Sequence, residues 1–264
     1  MPITAIPETA ITTIVDDDGN GLTAGTYVKR MGEREHMATT ASGEDVWRGN
    51  DLSPAPTSHT SIPTPDSAGE QMAVNSEHAN DTIAGIGAQI VTIEYIDAAG
   101  AQQTTTVEMN GTTPVDLTPD DVRFVNDFYV SQAGSNGVAV DYIKITKSGT
   151  VGLVYDMIAL GGNKSMVPHF MVPAGKKLKL DGWHCEEAQN RRCAFRIRAD
   201  CTPGTVRQAG VFLFIDTAYM KQSSSGWLPL NYEVPALSIL KVSAWPDQSS
   251  SEGSCGWHGR LVDA

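Results

Sequence analysis

The densest set of chemistry-bearing side chains is His184-Cys185-Glu186-Glu187, with Cys193, Cys201, Cys255 and His258 further along. Thiolates and imidazoles are zinc ligands, so His184, Cys185, Cys193 and Cys201 are the metal candidates of the chain. Their spacing argues against that use. The first three cysteines stand eight residues apart, whereas zinc sites favour close Cys-x-x-Cys pairs. The simpler expectation is reduced thiols, some packed in the core of a β-domain folded in a cytoplasm. Glu186-Glu187 beside His184 could serve a metal or a thiol, but reads equally as a surface turn between strands. Asp16-Asp17-Asp18 are contiguous, so they cannot all point at one calcium ion and are expected in a solvated turn. No metal or other cofactor is expected.

Catalytic patterns are missing. There is no Gly-x-Ser-x-Gly elbow, phosphate loop or His-Glu-x-x-His helix. Glu33-Arg34-Glu35-His36 has the residue types for acid–base work, but lies in a stretch expected to be too irregular to hold them. No catalytic residue is assigned, and an enzyme is not expected. Two binding chemistries remain open. Trp183, Trp227, Trp245 and Trp257 fall in the C-terminal part. Sugar rings stack on exposed indoles, which makes Trp227 and Trp257 candidates for a glycan, although four Trp in a small β-domain would mostly be buried. Arg192, Arg196 and Arg198 could grip an acidic partner by bidentate pairs.

The elements expected to position these groups are strands. Helix formers are scarce among the 264 residues, while Thr, Val, Ile, Gly, Asn and Ser abound, a balance that favours an all-β fold. Residues 1–78 read as an extended arm. Ile11–Val15 could be one short strand, and residues 51–65 carry four prolines, which fix φ and remove N–H donors. Trp47, Ile62, Met72 and Val74 would give the arm apolar anchors for a partner. Residues 79–148 read as a small antiparallel β-sandwich. Val91, Ile93 and Tyr95 alternate with Thr92 and Glu94, and a Gly100 turn leads into a strand over 104–109, a hairpin. Thr118-Pro119-Asp120-Asp121 could cap a short helix; the competing reading is a strand from Val122 to Val130. A last strand is expected over 138–145. Residues 149–264 read as a second, jelly-roll-like sandwich. Strands are expected at 151–160, 178–180 and 193–199, with an apolar central strand at 211–215.

Charge narrows the partners. The formal net charge is −12: −8 over residues 1–80, −6 over 81–149 and +2 over 150–264. An acidic front repels phosphates, and the basic excess behind it is small, so nucleic acid is not expected. No apolar run approaches the roughly 20 residues of a membrane helix. The N-terminus shows no basic region followed by an apolar core, so no signal peptide and no membrane partner are expected.

The order of turns carries a resemblance. Glu44-Asp45-Val46-Trp47 is followed by Asn80-Asp81-Thr82, Gly85-Ile86-Gly87-Ala88, Met109 through Val115, and Ala133-Gly134-Ser135. Val172 through Lys176 and Gly256 through Val262 close the series. In this order the chain resembles a group of structural proteins from tailed bacteriophages, over residues 44–262 and most closely over 80–145. The cysteines lie outside the pattern. The resemblance implies a non-enzymatic virion component, made in the host cytoplasm. As a capsid decoration or cement protein it would strap neighbouring subunits of the major capsid protein with its arm, as a homo-oligomer with a trimer first. As a tail or fibre part it would bind a host-surface glycan instead.

Overall fold

A computed structural model describes residues 25–53, 61–150, 152–200 and 212–264. Among these residues the chain is all-β with antiparallel sheets, as its composition implies. It opens with β1 (Thr26–Met37) and β2 (Glu44–Asp45). Seven strands follow: β3 (Met72–Ser76), β4 (Ala88–Ile96), β5 (Gln102–Glu108), β6 (Val115–Asp116), β7 (Phe124–Ala133), β8 (Ile143–Lys147) and β9 (Val154–Ile158). The last six are β10 (Phe170–Met171), β11 (Lys176–Asp200), β12 (Phe212–Ser224), β13 (Leu228–Val234), β14 (Ile239–Pro246) and β15 (Ser251–Asp263). No described helix is long and apolar enough to cross a membrane.

The middle strands form two sheets, β6-β3-β8-β9 and β5-β4-β7. Period-two alternation gives each an apolar face. Val91, Ile93 and Tyr95 of β4 meet Val74 of β3 and Ile143 and Ile145 of β8 in one buried cluster. The expected hairpin is present, with Val91 opposite Val107 and Ile93 opposite Thr105. Of the two readings near residue 120, the strand is realised, as β7. The strand expected over 138–145 begins only at Ile143, because the Val140 and Asp141 N–H groups donate to the Asp81 carboxylate, not to a neighbouring strand.

The remaining strands build a larger sheet in the order β1-β15-β11-β14-β10, with β12 and β13 on the other side of β11 and β2 on β14. β11 is its axis. Its first half lies between β15 and β13, and its second half between β14 and β12. Leu178, Leu180, Trp183 and Cys185 from the first half share a core with Cys193, Phe195, Ile197 and Ala199 from the second. The expected inner face of residues 193–199 is therefore present.

The segment read as an arm is not one over its described part. β1 pairs with β15 along almost its whole length, and β2 pairs with β14. β3 lies between β6 and β8. The smaller sheets are thus inserted between strands that the larger sheet takes from both ends of the chain. Ile11–Val15 and Asp16-Asp17-Asp18 lie outside the described residues. The expected central strand at 211–215 is corrected too. β12 pairs with β11 alone among the described residues, leaving Leu213 and Phe214 58% and 56% exposed.

Candidate binding surface

The anchors expected to hold a partner are inside this chain's own cores. Trp47 and Ile62 pack with Leu52, Val154, Met157 and Val167. Met72 and Val74 belong to the core of the smaller sheets. Each is less than a tenth exposed, so none is available as a contact with another molecule.

The acidic and basic groups near these anchors hold backbone. Asp45 is fully buried and accepts from Lys241 Nζ at 2.9 Å, Arg198 Nη2 at 3.1 Å, Ser243 Oγ at 2.5 Å and the Ile62 N–H at 3.0 Å. Burial alone would raise its pKa, but Lys241 and Arg198 bring the carboxyl down to about 2. Arg198 is therefore largely an internal counter-ion. Glu33-Arg34-Glu35-His36 falls on β1. Arg34 donates to Glu44 at 2.9 Å and to the Trp47 carbonyl at 3.0 Å, and Glu33 and Glu35 pair with Arg48. The Asn80-Asp81-Thr82 turn is a clamp as well. Asp81 accepts from Ser76 Oγ at 2.6 Å and from the N–H groups of Ala88, Val140 and Asp141.

The thiols are core residues. Cys185 and Cys193 are buried and free, and burial pushes both up to about 12. Cys255, opposite Cys185 in the β11–β15 register, is likewise raised well above the ordinary thiol value by burial. Thiols so held are poor nucleophiles and poor metal ligands. Cys201 lies outside the described residues, and no described group of three His, Cys, Asp or Glu could hold a metal. His184 is turned away from the core, beside Trp227. Glu187 is buried and accepts from the N–H groups of Gln189, Arg191 and Gln222 at 2.9–3.0 Å, where β11 bulges. It is not in a surface turn.

The two indoles proposed for a glycan separate. Trp257 is 1% exposed, stands edge-on to Phe170 and donates from Nε1 to the Pro168 carbonyl at 3.0 Å. It offers no face to a ligand. Trp227 is 45% exposed. It stacks on His258, with ring centroids 4.0 Å apart and planes 13° apart. Tyr27 lies 5.4 Å beyond His258, and His184 6.2 Å from Trp227. Gly182 makes this possible: a Cβ there would meet Trp227 Cζ2 at 2.4 Å. The indole covers Gly182, in a platform of one Trp, one Tyr and two His. Partial burial lowers the pKa of both imidazoles, and the Lys29 charge lowers them further. Both are neutral above pH 7, able to donate from one nitrogen and accept at the other. Sequence reasoning found Trp227, read His258 only as a neighbour of Cys255, and missed Tyr27 and Gly182. The pairing of Gly182 with His258 brings them together, and only the β11–β15 register reveals it.

No protein-family model and no curated protein matches the chain.

Proposed function

We propose that the chain is a non-enzymatic structural component of a tailed-phage particle, and first a capsid decoration or cement protein. The observation that carries this reading is the employment of its reactive side chains. Asp45, Asp81 and Glu187 are committed to backbone and buried cations, and the thiols to the core. What remains is a β-scaffold with exposed aromatic and cationic side chains, suited to contact and not to turnover. Trp47, Ile62, Met72 and Val74 are withdrawn as anchors by their burial. Contact with the major capsid protein or another virion protein falls instead to the exposed strand faces, including Arg192 and Arg196, in a symmetric homo-oligomer with a trimer as working model.

Immunogold labelling of intact virions from the phage that encodes the chain tests this. Label spread over the head supports decoration. Absence of label from purified particles that carry their other structural proteins overturns the virion reading.

The Trp227 platform favours a second reading, a tail or fibre component that binds a host-surface glycan. Label confined to the tail, with weaker cell adsorption by Trp227→Ala particles of normal yield, would support it. Normal adsorption would count against the platform.

A further inference from the structure

A second aromatic site lies on the outer face of β11, in its second half. Side chains alternate along a strand. With Cys193, Phe195 and Ile197 in the core, Arg192, Ala194 and Arg196 share the outer face. Tyr219 on β12 and Trp245 on β14 stand opposite Ala194, one on each side. A small residue between two aromatic ones leaves a groove of about 500 Å³, with Arg192, Lys221 and Asp247 also lining it. The backbones of β12 and β14 run roughly 10 Å apart across β11, a width that takes one ring between the walls.

The walls are built differently. Trp245 is fixed. Its Nε1 donates to the Ala41 carbonyl at 3.2 Å. Its ring covers Gly43, where a Cβ would meet Cε2 at 2.3 Å. The Arg196 guanidinium lies 4.3 Å from its ring centroid. Tyr219 is 77% exposed and makes no ring contact among the described residues.

The charge is uneven in a useful way. The neighbouring Arg198 and Lys241 both pair with Asp45. Arg192, Arg196 and Lys221 have no carboxylate partner among the described residues. Arg192 and Lys221 are register partners that line one end of the groove, whereas the Arg196 guanidinium is held over Trp245 and Phe214. Asp247 accepts from the Arg192 backbone N–H at 3.1 Å and keeps acceptor capacity toward the groove.

We propose that this groove binds an acidic saccharide. The C–H face of the sugar ring packs between Tyr219 and Trp245. Its carboxylate pairs with Arg192 and Lys221, the two cations that line the groove side by side. Asp247 accepts from ring hydroxyls. A neutral sugar would leave these cations unanswered. A polyacidic peptide would bring several carboxylates beside Asp247, where the saccharide brings one carboxylate and ring hydroxyls that donate to Asp247. The inference rests on the glycan reading above and moves it to a different site, with a named ligand class.

The test is an NMR titration of the full chain, following the indole N–H signals of Trp245 and Trp227 separately. The probes are 3′-sialyllactose and trigalacturonate, their neutral counterparts lactose and galactotriose, and tetraglutamate. The expected result is a Trp245 shift with the acidic sugars at about tenfold lower concentration than with the neutral ones, the worth of one hydrogen-bonded charge pair. Arg192→Gln and Tyr219→Ala change exposed side chains and should leave the amide spectrum dispersed. Each should weaken the acidic sugar about tenfold. Equal response to neutral and acidic sugars, or none to either, overturns the proposal. A response to tetraglutamate alone assigns the groove to acidic polypeptide and overturns it too. A shift of Trp227 alone keeps a glycan-binding protein but removes this site.

Discussion

Asp81 is one carboxylate with four donors around it, three of them backbone N–H groups. Asp81→Ala leaves two buried and two part-buried donors without their acceptor and should cost roughly 3 kcal/mol. A urea midpoint unchanged from the native chain would refute the clamp. Asp156 and His169 make an opposed pair in their pH dependence. Burial pushes the Asp156 carboxyl up to about 7. The folded chain then keeps a proton that the unfolded chain loses near pH 4, so this group reduces stability as pH rises from about 4 to 7, by on the order of 4 kcal/mol. Burial pushes His169 down to about 3. There the unfolded chain binds the extra proton below its ordinary value of 6.5, so stability rises with pH from about 3 to 6.5. The two slopes nearly cancel over the window they share. Asp45, already ionised above about 2, contributes its own loss of stability only in more acidic solution. The lowered imidazoles of His184 and His258 add a rise with pH below 6.5, so denaturation midpoints should climb gently between about pH 4.5 and 6.5 in the native chain. They should climb more steeply in Asp156→Asn, and climb less or fall in His169→Gln. A profile for Asp156→Asn parallel to that of the native chain would show that its carboxyl titrates normally.

At the scale of the element, β11 depends on its bulge. Between Glu187 and Arg192 it passes from one set of partners to the other. The surplus residues leave N–H groups off the ladder, and the Glu187 carboxylate collects two of them together with that of Gln222. Glu187→Ala removes three hydrogen bonds to a carboxylate, but the donors sit on exposed or half-buried residues that water can reach, so it should cost about 1–2 kcal/mol. Hydrogen exchange should accelerate first at Gln189, Arg191 and Gln222, and protection spread evenly along β11 would contradict the assignment. The same strand shows what sequence could and could not reveal. The alternation of Cys193, Phe195 and Ile197 with Ala194 and Arg196 was legible, because one face is apolar and the other is not. The β4–β5 hairpin was legible for the same reason. β1 was not. Its inward positions include Arg30 and Arg34, each buried against a carboxylate, Asp127 at 2.8 Å and Glu44 at 2.9 Å. A strand whose core face carries guanidinium groups has no hydrophobic period to detect, and the partners that neutralise them lie elsewhere in the chain. Trp227 was legible as a residue type, but its platform depends on Gly182 and His258 meeting across strands. In β12 the apolar run implied burial on both faces, whereas Phe214 lies outside, 4.6 Å from the Arg196 guanidinium and edge-on to Trp245.

For the whole molecule, insertion replaces the expected sequence of arm, first domain and second domain. The larger core uses Val28, Met37 and Val46 from one end of the chain and Cys255 and Trp257 from the other. The smaller sheets are tied to it along β7 and β10. Asn126 Nδ2 donates to the Met171 carbonyl at 2.9 Å, and the Met171 N–H donates to Asn126 Oδ1 at 2.8 Å. Arg30 meets Asp127 across the same boundary, and Ile96 and Phe124 pack on Met171 and Ile239. A cut at the boundary expected from sequence would therefore pass through a core. A fragment of residues 149–264 lacks β1 and β2. It exposes the β15 edge and leaves Cys255 and Trp257 without the strand that covers them. Val28, Met37 and Val46 alone remove three apolar side chains from that core, worth about 1.5–3 kcal/mol each. That sum is comparable with the whole stability of a typical fold. The fragment should give a collapsed amide spectrum and no cooperative melt. A dispersed spectrum and a cooperative transition for 149–264 would mean that the larger sheet closes without its N-terminal strands. The inserted organisation would then be a docking of separable parts rather than one fold.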